Sequence, residues 1–264
     1  MTDASFAGSV VLVTGGASGV GGAIASSFVD GGASVHIIDA SQQHIESFLA
    51  DHPAATASLC DIGVEVQIQR AFAEFRSHYD RLDVLVNNAG IAGPSGAVED
   101  LDVEGWDRCI DVNLSGTFYV ARLAIPLIKS QDHGAIINVA SNAGLMGCPH
   151  RSPYVASKWG MIGLTKTWAM ELGQHNIRVN AVCPTSVEGE RIEGVIRADA
   201  EKRGLAPGEI RDVYERQSSM RTFVTVDDVA AMVTFLASRA AGRISGQAIA
   251  VDGHTETLSN WLDH

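Results

Sequence analysis

The chain has 264 residues, 46% of them hydrophobic and 19% charged, with a net charge of −12. That length is enough for a substantial core in one large domain or two small ones, and the composition excludes a disordered chain. No run of lysine or arginine exceeds two residues, so neither nucleic acid nor an anionic membrane surface is an expected partner.

The opening stretch, "MTDASFAGSVVLVTGG", has no basic region before its apolar run. That run is too short and too glycine-bound for a signal peptide or a membrane span, so a cytoplasmic protein is expected. Short apolar runs then follow at Val10–Thr14, Ser34–Ile38, Thr56–Cys60, Val84–Asn87, Ala135–Val139, Arg178–Val182 and Ala248–Val251. Rich in valine and isoleucine and apolar nearly throughout, they read as strands buried on both faces. Helical patterns lie between them near 19–31, 41–50, 64–79, 104–130, 153–175 and 226–238. Strand–helix alternation of this kind predicts a doubly wound α/β architecture, a parallel sheet with helices on both faces. No linker, repeat or low-complexity tract divides the chain, so residues 1–264 read as a single domain.

Residues 186–222 break the rhythm. They are highly charged and punctuated by Gly204, Pro207 and Gly208. The segment follows the sixth strand, at the sheet edge where ligands bind in such folds, and reads as a lid or as a solvated decoration. The cysteines Cys60, Cys109, Cys148 and Cys183 are far apart and read as reduced, mostly buried apolar residues of a reducing compartment. The nine histidines form no ligand cluster, and no metal is expected.

Strand, glycine-rich turn and helix follow one another in "VVLVTGGASGVGGAIASSF". Gly15, Gly19 and Gly21 have the spacing G-x-x-x-G-x-G. Glycine permits the turn, lets a pyrophosphate approach the backbone and lets the helix pack close, while the first helical N–H groups face the anion. Gly15, Ser18, Gly19, Val20 and Gly21 are therefore the expected dinucleotide contacts. Asp39 ends the second strand, 24 residues after Gly15. A carboxylate there accepts from both adenosine ribose hydroxyls and repels a 2′-phosphate, and no basic residue stands in the loop or directly after Asp39. NAD is the expected cofactor. Ser41, rather than Asp39, suits the N-cap of the next helix.

With this loop, Asp39, "NNAG" at 87–90 and "YVASK" at 154–158, the sequence resembles the short-chain dehydrogenase/reductase family over about residues 8–253. The ordered combination is specific, although each motif alone is not. The resemblance implies a single Rossmann-type domain with a seven-stranded parallel sheet. It implies that Asp61 and Ile62 hold the adenine ring, and that Asn88, Ala89 and Gly90 line the cofactor. It further implies that Asn113 in "DVNLSGTF" helps hold a water beside the catalytic lysine, and that Ser141, 13 residues before Tyr154, binds the substrate oxygen. Pro184 and Val187 match the cofactor-binding segment after the sixth strand. Trp106 and Phe118 read as core or subunit contacts.

The chemistry needs these residue types. A free tyrosine, with a pKa of about 10, is a poor base at neutral pH, and a nearby ammonium favours the tyrosinate. Positions i and i+4 share a helix face, so Tyr154 and Lys158 can act together, with Tyr154 as base in oxidation and acid in reduction. Lys158 also matches the residue that bonds the nicotinamide ribose. Without the other motifs, the pair would read as a buried tyrosine with a snorkelling lysine.

The segment "CPTSVEGER" departs from the family, which usually reads Pro-Gly with a threonine beyond. Thr185 replaces the glycine and Gly189 stands where the threonine is often found, so the nicotinamide carboxamide is expected to rely on Val187 backbone groups, with Thr185 or Ser186 supplying a hydroxyl. Substrate residues are expected from Ser141 to Tyr154, including His150 and Arg151, and from the 186–222 segment, including Arg191. Its arginines either gather a small acidic or polyhydroxylated alcohol or ketone, or belong to a solvated helix face with pairs such as Glu193–Arg197. Two other readings are an NADPH-dependent 3-oxoacyl ketoreductase, which Asp39 opposes, and a non-catalytic NAD-binding sensor, which an intact Ser141, Tyr154 and Lys158 oppose. The resemblance implies a homo-oligomer, with a tetramer favoured, since members of the family commonly pair the long helices at 104–130 and 153–175 between subunits. The terminal Leu258, Trp261 and Leu262 either pack across a subunit interface or dock on their own subunit.

Overall fold

Every strand expected from the sequence is present in the computed structural model, which describes residues 5–257. They are β1 (Val10–Thr14), β2 (Ser34–Asp39), β3 (Thr56–Leu59), β4 (Val84–Asn87), β5 (Gly134–Val139), β6 (Ile177–Pro184) and β7 (Ala248–Val251). All pair in parallel, in the order β3-β2-β1-β4-β5-β6-β7. The Leu258–Trp261–Leu262 cluster lies outside the described residues.

The helices are α1 (Gly19–Asp30), α2 (Gln42–Asp51), α3 (Glu65–His78), α4 (Val103–Ile110), α5 (Gly116–Lys129), α6 (Ser152–Leu172), α7 (Glu190–Arg203), α8 (Pro207–Arg216) and α9 (Val226–Ala237). Period-two alternation splits the core between the two sheet faces. Val11, Val13, Val35 and Ile37 pack with Ile24 and Phe28 of α1 and Val229, Val233 and Leu236 of α9. Leu12, Leu85 and Ile136 pack with Phe72 and Phe75 of α3 and Val120 and Ile128 of α5. Arg178 on β6 donates to the carbonyls of Leu236, Ala237 and Ser238, which caps the C-terminal end of α9.

One expected helix is two. The pattern over 104–130 is interrupted by a π-helical turn, Asp111–Ser115, between α4 and α5. A methyl on Gly116 would stand 2.5 Å from the Ile62 carbonyl oxygen, so α5 lies tight against the β3–α3 connection. The turn contains Asn113, which is fully buried. Such bulges recur at functional positions. Trp106 and Phe118 are not core residues: they are 38% and 44% exposed, and Trp159 and Met170 of α6 are exposed as well.

Strand order reverses at β1. The chain winds outward through β2 and β3, then returns to β4 on the other side of β1, which opens a crevice at the carboxyl ends of β1 and β4. Beyond β6, α7 and α8 form a separate apolar cluster of Ile192, Ile196, Ala200, Ile210 and Phe223. Two backbone ties hold this excursion, a parallel bridge from Val187 to Val224 and an antiparallel bridge from Ser218 to Thr255. Two of its arginines are held in ion pairs. Arg203 pairs with Asp199 at 2.8 Å, and Arg211 pairs with Glu193 and Glu215 while lying over the Phe223 ring. Glu193 is thus held by Arg211 across two helices, rather than by Arg197 one turn along.

His36 is a polar residue inside an apolar strand. It is completely buried, and its ring nitrogens meet Thr56 Oγ1 at 2.8 Å and Ser58 Oγ at 3.0 Å. Burial first, and the charge of His78 second, lower its pKa from 6.5 to about 4. A depressed histidine pKa means that the folded state prefers the neutral ring. Its contribution is complete above pH 6.5 and is lost as pH falls from 6.5 towards 4, amounting to about 3 kcal/mol. The urea midpoint should therefore drop over that window, and His36→Gln should flatten the drop. An unchanged acid limb in the variant would contradict this account.

Candidate active site

The crevice is built from the ends of β1 and β4. Thr14 Oγ1 accepts from the amides of Asn88 (3.0 Å) and Ala89 (3.1 Å). Asn88 Nδ2 donates back to the carbonyls of Thr14 (3.1 Å) and Gly15 (3.0 Å). The glycine turn leaves this junction with Gly15 at φ +59° and Gly19 at φ +53°. A methyl on Gly21 would overlap the Gly15 carbonyl oxygen and the Asn88 amide, whereas one on Gly19 would meet open space. The helix α1 that follows has Ser18 at its N-cap without a side-chain cap bond, and no acidic residue in its first turn. Its leading N–H groups, with those of Gly19 and Val20, form a cradle for an anion.

Asp39 closes the cradle. Oδ2 accepts from Ala17 N at 3.1 Å and Oδ1 from Ser41 N at 3.0 Å. Each oxygen keeps lone-pair capacity for a sugar hydroxyl. Ser41 caps α2 by accepting from His44 N, as the sequence predicts. Farther out, Asp61 accepts from Gly63 N and pairs with Arg108 of α4 at 2.6 Å, and Ile62 is buried beside it. Arg108 had no role in the sequence reading, because its partner lies 47 residues away. The donors, acceptors and open glycine face together fit a dinucleotide.

The expected catalytic and substrate-binding side chains stand after β5 and at the start of α6. Tyr154 and Lys158 occupy one face of α6, and Lys158 Nζ lies 5.7 Å from the Tyr154 ring centroid. Lys158 is 3% exposed and donates to the Val139 carbonyl at 3.0 Å, so it does not snorkel to solvent. Ser141 follows β5. Its Oγ accepts from Ala143 N at 3.2 Å and lies 3.4 Å from Asn142 Oδ1 and 3.5 Å from the Pro184 carbonyl. The last two contacts are long, and the hydroxyl can turn to a substrate oxygen. A methyl on Gly144 would stand 2.9 Å from the Lys158 carbonyl, so the Ser141 loop is packed hard against α6.

Asn113 binds these pieces together. Oδ1 accepts from Ile91 N at 2.8 Å, while Nδ2 donates to Ile91 O at 3.0 Å and Ser157 Oγ at 3.1 Å. Its side chain is thus committed to protein partners. Gly90 is left beside Lys158: a Cβ there would stand 3.2 Å from Asn113 Oδ1 and 3.6 Å from Lys158 Nζ.

After β6, the bridge to Val224 uses the Ser186 carbonyl and the Glu188 amide. Val187's own N–H and C=O are not used by that bridge and point to its other side. Thr185 N donates to Val251 O at 3.3 Å, and Gly189 at φ +137° begins α7 with no side chain to offer. On the opposite wall, Arg151 is the N-cap of α6, donates to the Ala92 carbonyl at 3.1 Å and lies 5.2 Å from the Tyr154 ring centroid. His150 is exposed at φ +62°, and its carbonyl accepts from Gly96 N. Arg191 belongs to α7, and its side chain lies outside the described residues. An open cleft of about 940 Å³ at the root of α7 is lined by Glu188, Gly189, Glu190, Glu193, Arg197 and Arg211. Carboxylates outnumber arginines there, so that cleft does not gather the positive charge expected of the segment.

Among the described residues the four cysteines are free, with Cys148 half-buried and the others buried, and no group of histidine, cysteine or carboxylate side chains is placed to hold a metal. No helix among them is long and apolar enough to cross a membrane.

Residues 15–254 match the family model described as enoyl-(acyl carrier protein) reductase. The 3-oxoacyl-(acyl-carrier-protein) reductase of Thermotoga maritima is 36% identical, the alignment covering 93% of this chain and 97% of that protein. The D-beta-hydroxybutyrate dehydrogenase of Rhizobium meliloti is 35% identical, with 92% and 96% covered. The structure of NAD+-bound xylitol dehydrogenase superposes with a TM-score of 0.89 at 27% identity, with 94% and 99% covered.

The crowding at Gly21 gives a direct check. Gly21→Ala should weaken binding of the reduced nicotinamide cofactor at least ~tenfold, because the new methyl moves the Gly15 carbonyl and the loop with it. Titration of the fluorescence of NADH and of NADPH reads this, and unchanged affinity for both would show that the cradle does not hold the cofactor.

Proposed function

The chain belongs to the short-chain dehydrogenase/reductase family, and from that premise we propose that it moves a hydride between a secondary alcohol, or its ketone, and NAD(H). Its residues 1–264 work as a single dinucleotide-binding and catalytic domain, with the α7–α8 segment as substrate lid. The observation that carries this reading is the placing of Tyr154 and a buried Lys158 on one helix face beside Ser141.

Bound NAD supplies the acceptor for the hydride. The chain's own residues do the rest. Ser141 holds the carbinol oxygen by a hydrogen bond. Tyr154 Oη takes the hydroxyl proton, and the Lys158 ammonium stabilises the phenolate that forms. Run in reverse, Tyr154 returns that proton to the ketone oxygen. Asn113 holds the loop after β4 against α6, which keeps Gly90 beside Lys158. The pyrophosphate end belongs to Gly15, Ser18, Gly19, Val20 and Gly21, the adenosine end to Asp39, Asp61 and Ile62. The nicotinamide end belongs to Asn88, Ala89, Gly90, Lys158, Pro184 and the backbone of Val187.

NAD rather than NADP follows from Asp39, whose carboxylate meets a ribose hydroxyl well and a 2′-phosphate badly. The second reading, an NADPH-dependent reductase of 3-oxoacyl groups on a carrier protein, is favoured by the Thermotoga relative. The negative field at Asp39 and the internal pairing of Arg203 and Arg211 weigh against it. A screen of alcohols, polyols and hydroxy acids should yield NADH at least ~tenfold faster than NADPH. Tyr154→Phe should cut turnover by about 10²–10⁴-fold with NADH affinity kept. Preference for NADP, or turnover that survives in the phenylalanine variant, would defeat the reading.

We also place the protein in the cytoplasm as a homo-oligomer, with a tetramer favoured. The exposed Trp106, Phe118, Trp159 and Met170 of α4, α5 and α6 then supply subunit contacts. Light scattering should give a multiple of the 27.9 kDa chain mass. A mass equal to one chain at micromolar concentration would refute the assignment.

A further inference from the structure

Two cations share one phenol ring. The guanidinium carbon of Arg151 is 5.2 Å from the Tyr154 ring centroid, and Lys158 Nζ is 5.7 Å from it. This occurs in a chain of net charge −12. Lys158 is buried and fastened to the Val139 carbonyl. Arg151 is half-buried and fastened to the Ala92 carbonyl through one Nη2 hydrogen bond.

Arg81, Arg108, Arg122, Arg203 and Arg211 each hold a carboxylate. Among the described residues, no Asp or Glu forms an ion pair with Arg151, whose one Nη2 hydrogen bond leaves donors to spare. The end of α6 adds charge of the same sign. This 21-residue helix has no acidic residue in its first turn and no side-chain bond at its N-cap, which is Arg151 itself. Its partial positive end therefore coincides with the guanidinium.

We infer that Arg151 anchors a carboxylate of the substrate, so that the alcohol oxidised at Tyr154 is a short hydroxy acid and the ketone reduced there is the matching oxo acid. The inference rests on the hydride-transfer reading above and adds the substrate class to it. Arginine's planar fork takes a carboxylate in two hydrogen bonds, and the tether to Ala92 fixes that fork next to Tyr154. The α7–α8 arginines that hold carboxylates of their own, Arg203 and Arg211, are not candidates for this task. The loop that carries Arg151 is itself steadied by the hydrogen bond from Gly96 N to His150 O.

The experiment has a binding arm and a turnover arm. Butanoate, which has no hydroxyl to oxidise, is titrated calorimetrically into the NADH complex of the wild type, Arg151→Gln and Arg151→Lys. Butanoate should bind the wild type more tightly than butanamide does, lose at least ~tenfold in the glutamine variant and keep part of its affinity in the lysine variant. With NAD, Arg151→Gln should lower kcat/KM for 3-hydroxybutanoate at least ~tenfold, mainly through KM, and leave 1,3-butanediol within ~threefold. Butanoate that binds no better than butanamide, or equal losses on the acid and the diol, overturns the inference. If the glutamine variant does not fold, the lysine variant decides: an acid preference retained in part supports the anchor, and equal loss on acid and diol overturns it. Arg151-dependent binding of butanoate without NADH from any hydroxy acid or from 1,3-butanediol upholds the anchor and rejects the hydride-transfer reading instead, whereas NADH from the diol but from no hydroxy acid overturns the inference.

Discussion

The join between β1 and β4 sets everything above it. Thr14 receives two amides from the chain leaving β4, and Asn88 returns two hydrogen bonds to the chain leaving β1. Parallel strands alone would leave these ends to diverge. The four reciprocal bonds hold them together and fix the depth of the crevice. The glycine turn, the anion cradle and the Gly90 wall all descend from that fastening. Gly21 must lack a side chain because Asn88 and the Gly15 carbonyl already occupy the space.

A second level of order runs across the sheet rather than along it. Asn113 couples the backbone at Ile91 to Ser157 in α6, and Gly144 lets the Ser141 loop press on the same helix. Tyr154, Lys158 and Ser141 therefore come from two elements that are locked before any ligand arrives. A buried polar network of this kind is costly if incomplete and rigid when satisfied. It holds Tyr154 and Lys158 on a rigid helix and fastens the Ser141 loop to that helix.

The strands and glycine turn were legible because their signals are local. Runs of valine and isoleucine mark buried strands, and glycine spacing marks the turn. What was not legible depends on partners distant in sequence. Helical periodicity over 104–130 carries no sign of the π-helical turn that contains Asn113. His36 is hidden in an otherwise apolar run, and only the neighbouring β3 hydroxyls explain how it is buried. Glu193 was read with Arg197 on its own helix, whereas helix–helix packing gives it Arg211. Arg151 stood out by closeness in sequence to Tyr154, but its tether to Ala92 comes from 59 residues away.

The α7–α8 segment carries its own apolar cluster, with Ile196 and Ile210 nearly or fully buried. It meets the rest of the chain through short backbone bridges near β6 and β7. As the lid proposed above, this pair of helices would already be folded before it moved. Closing over a small molecule would then reposition a preformed body about two narrow roots, and few residues would lose conformational freedom. The entropic charge that a disordered flap would levy on each binding event would be largely absent. Affinity would then be governed by the contacts made, and the pair of helices could change its inner surface without changing how it closed.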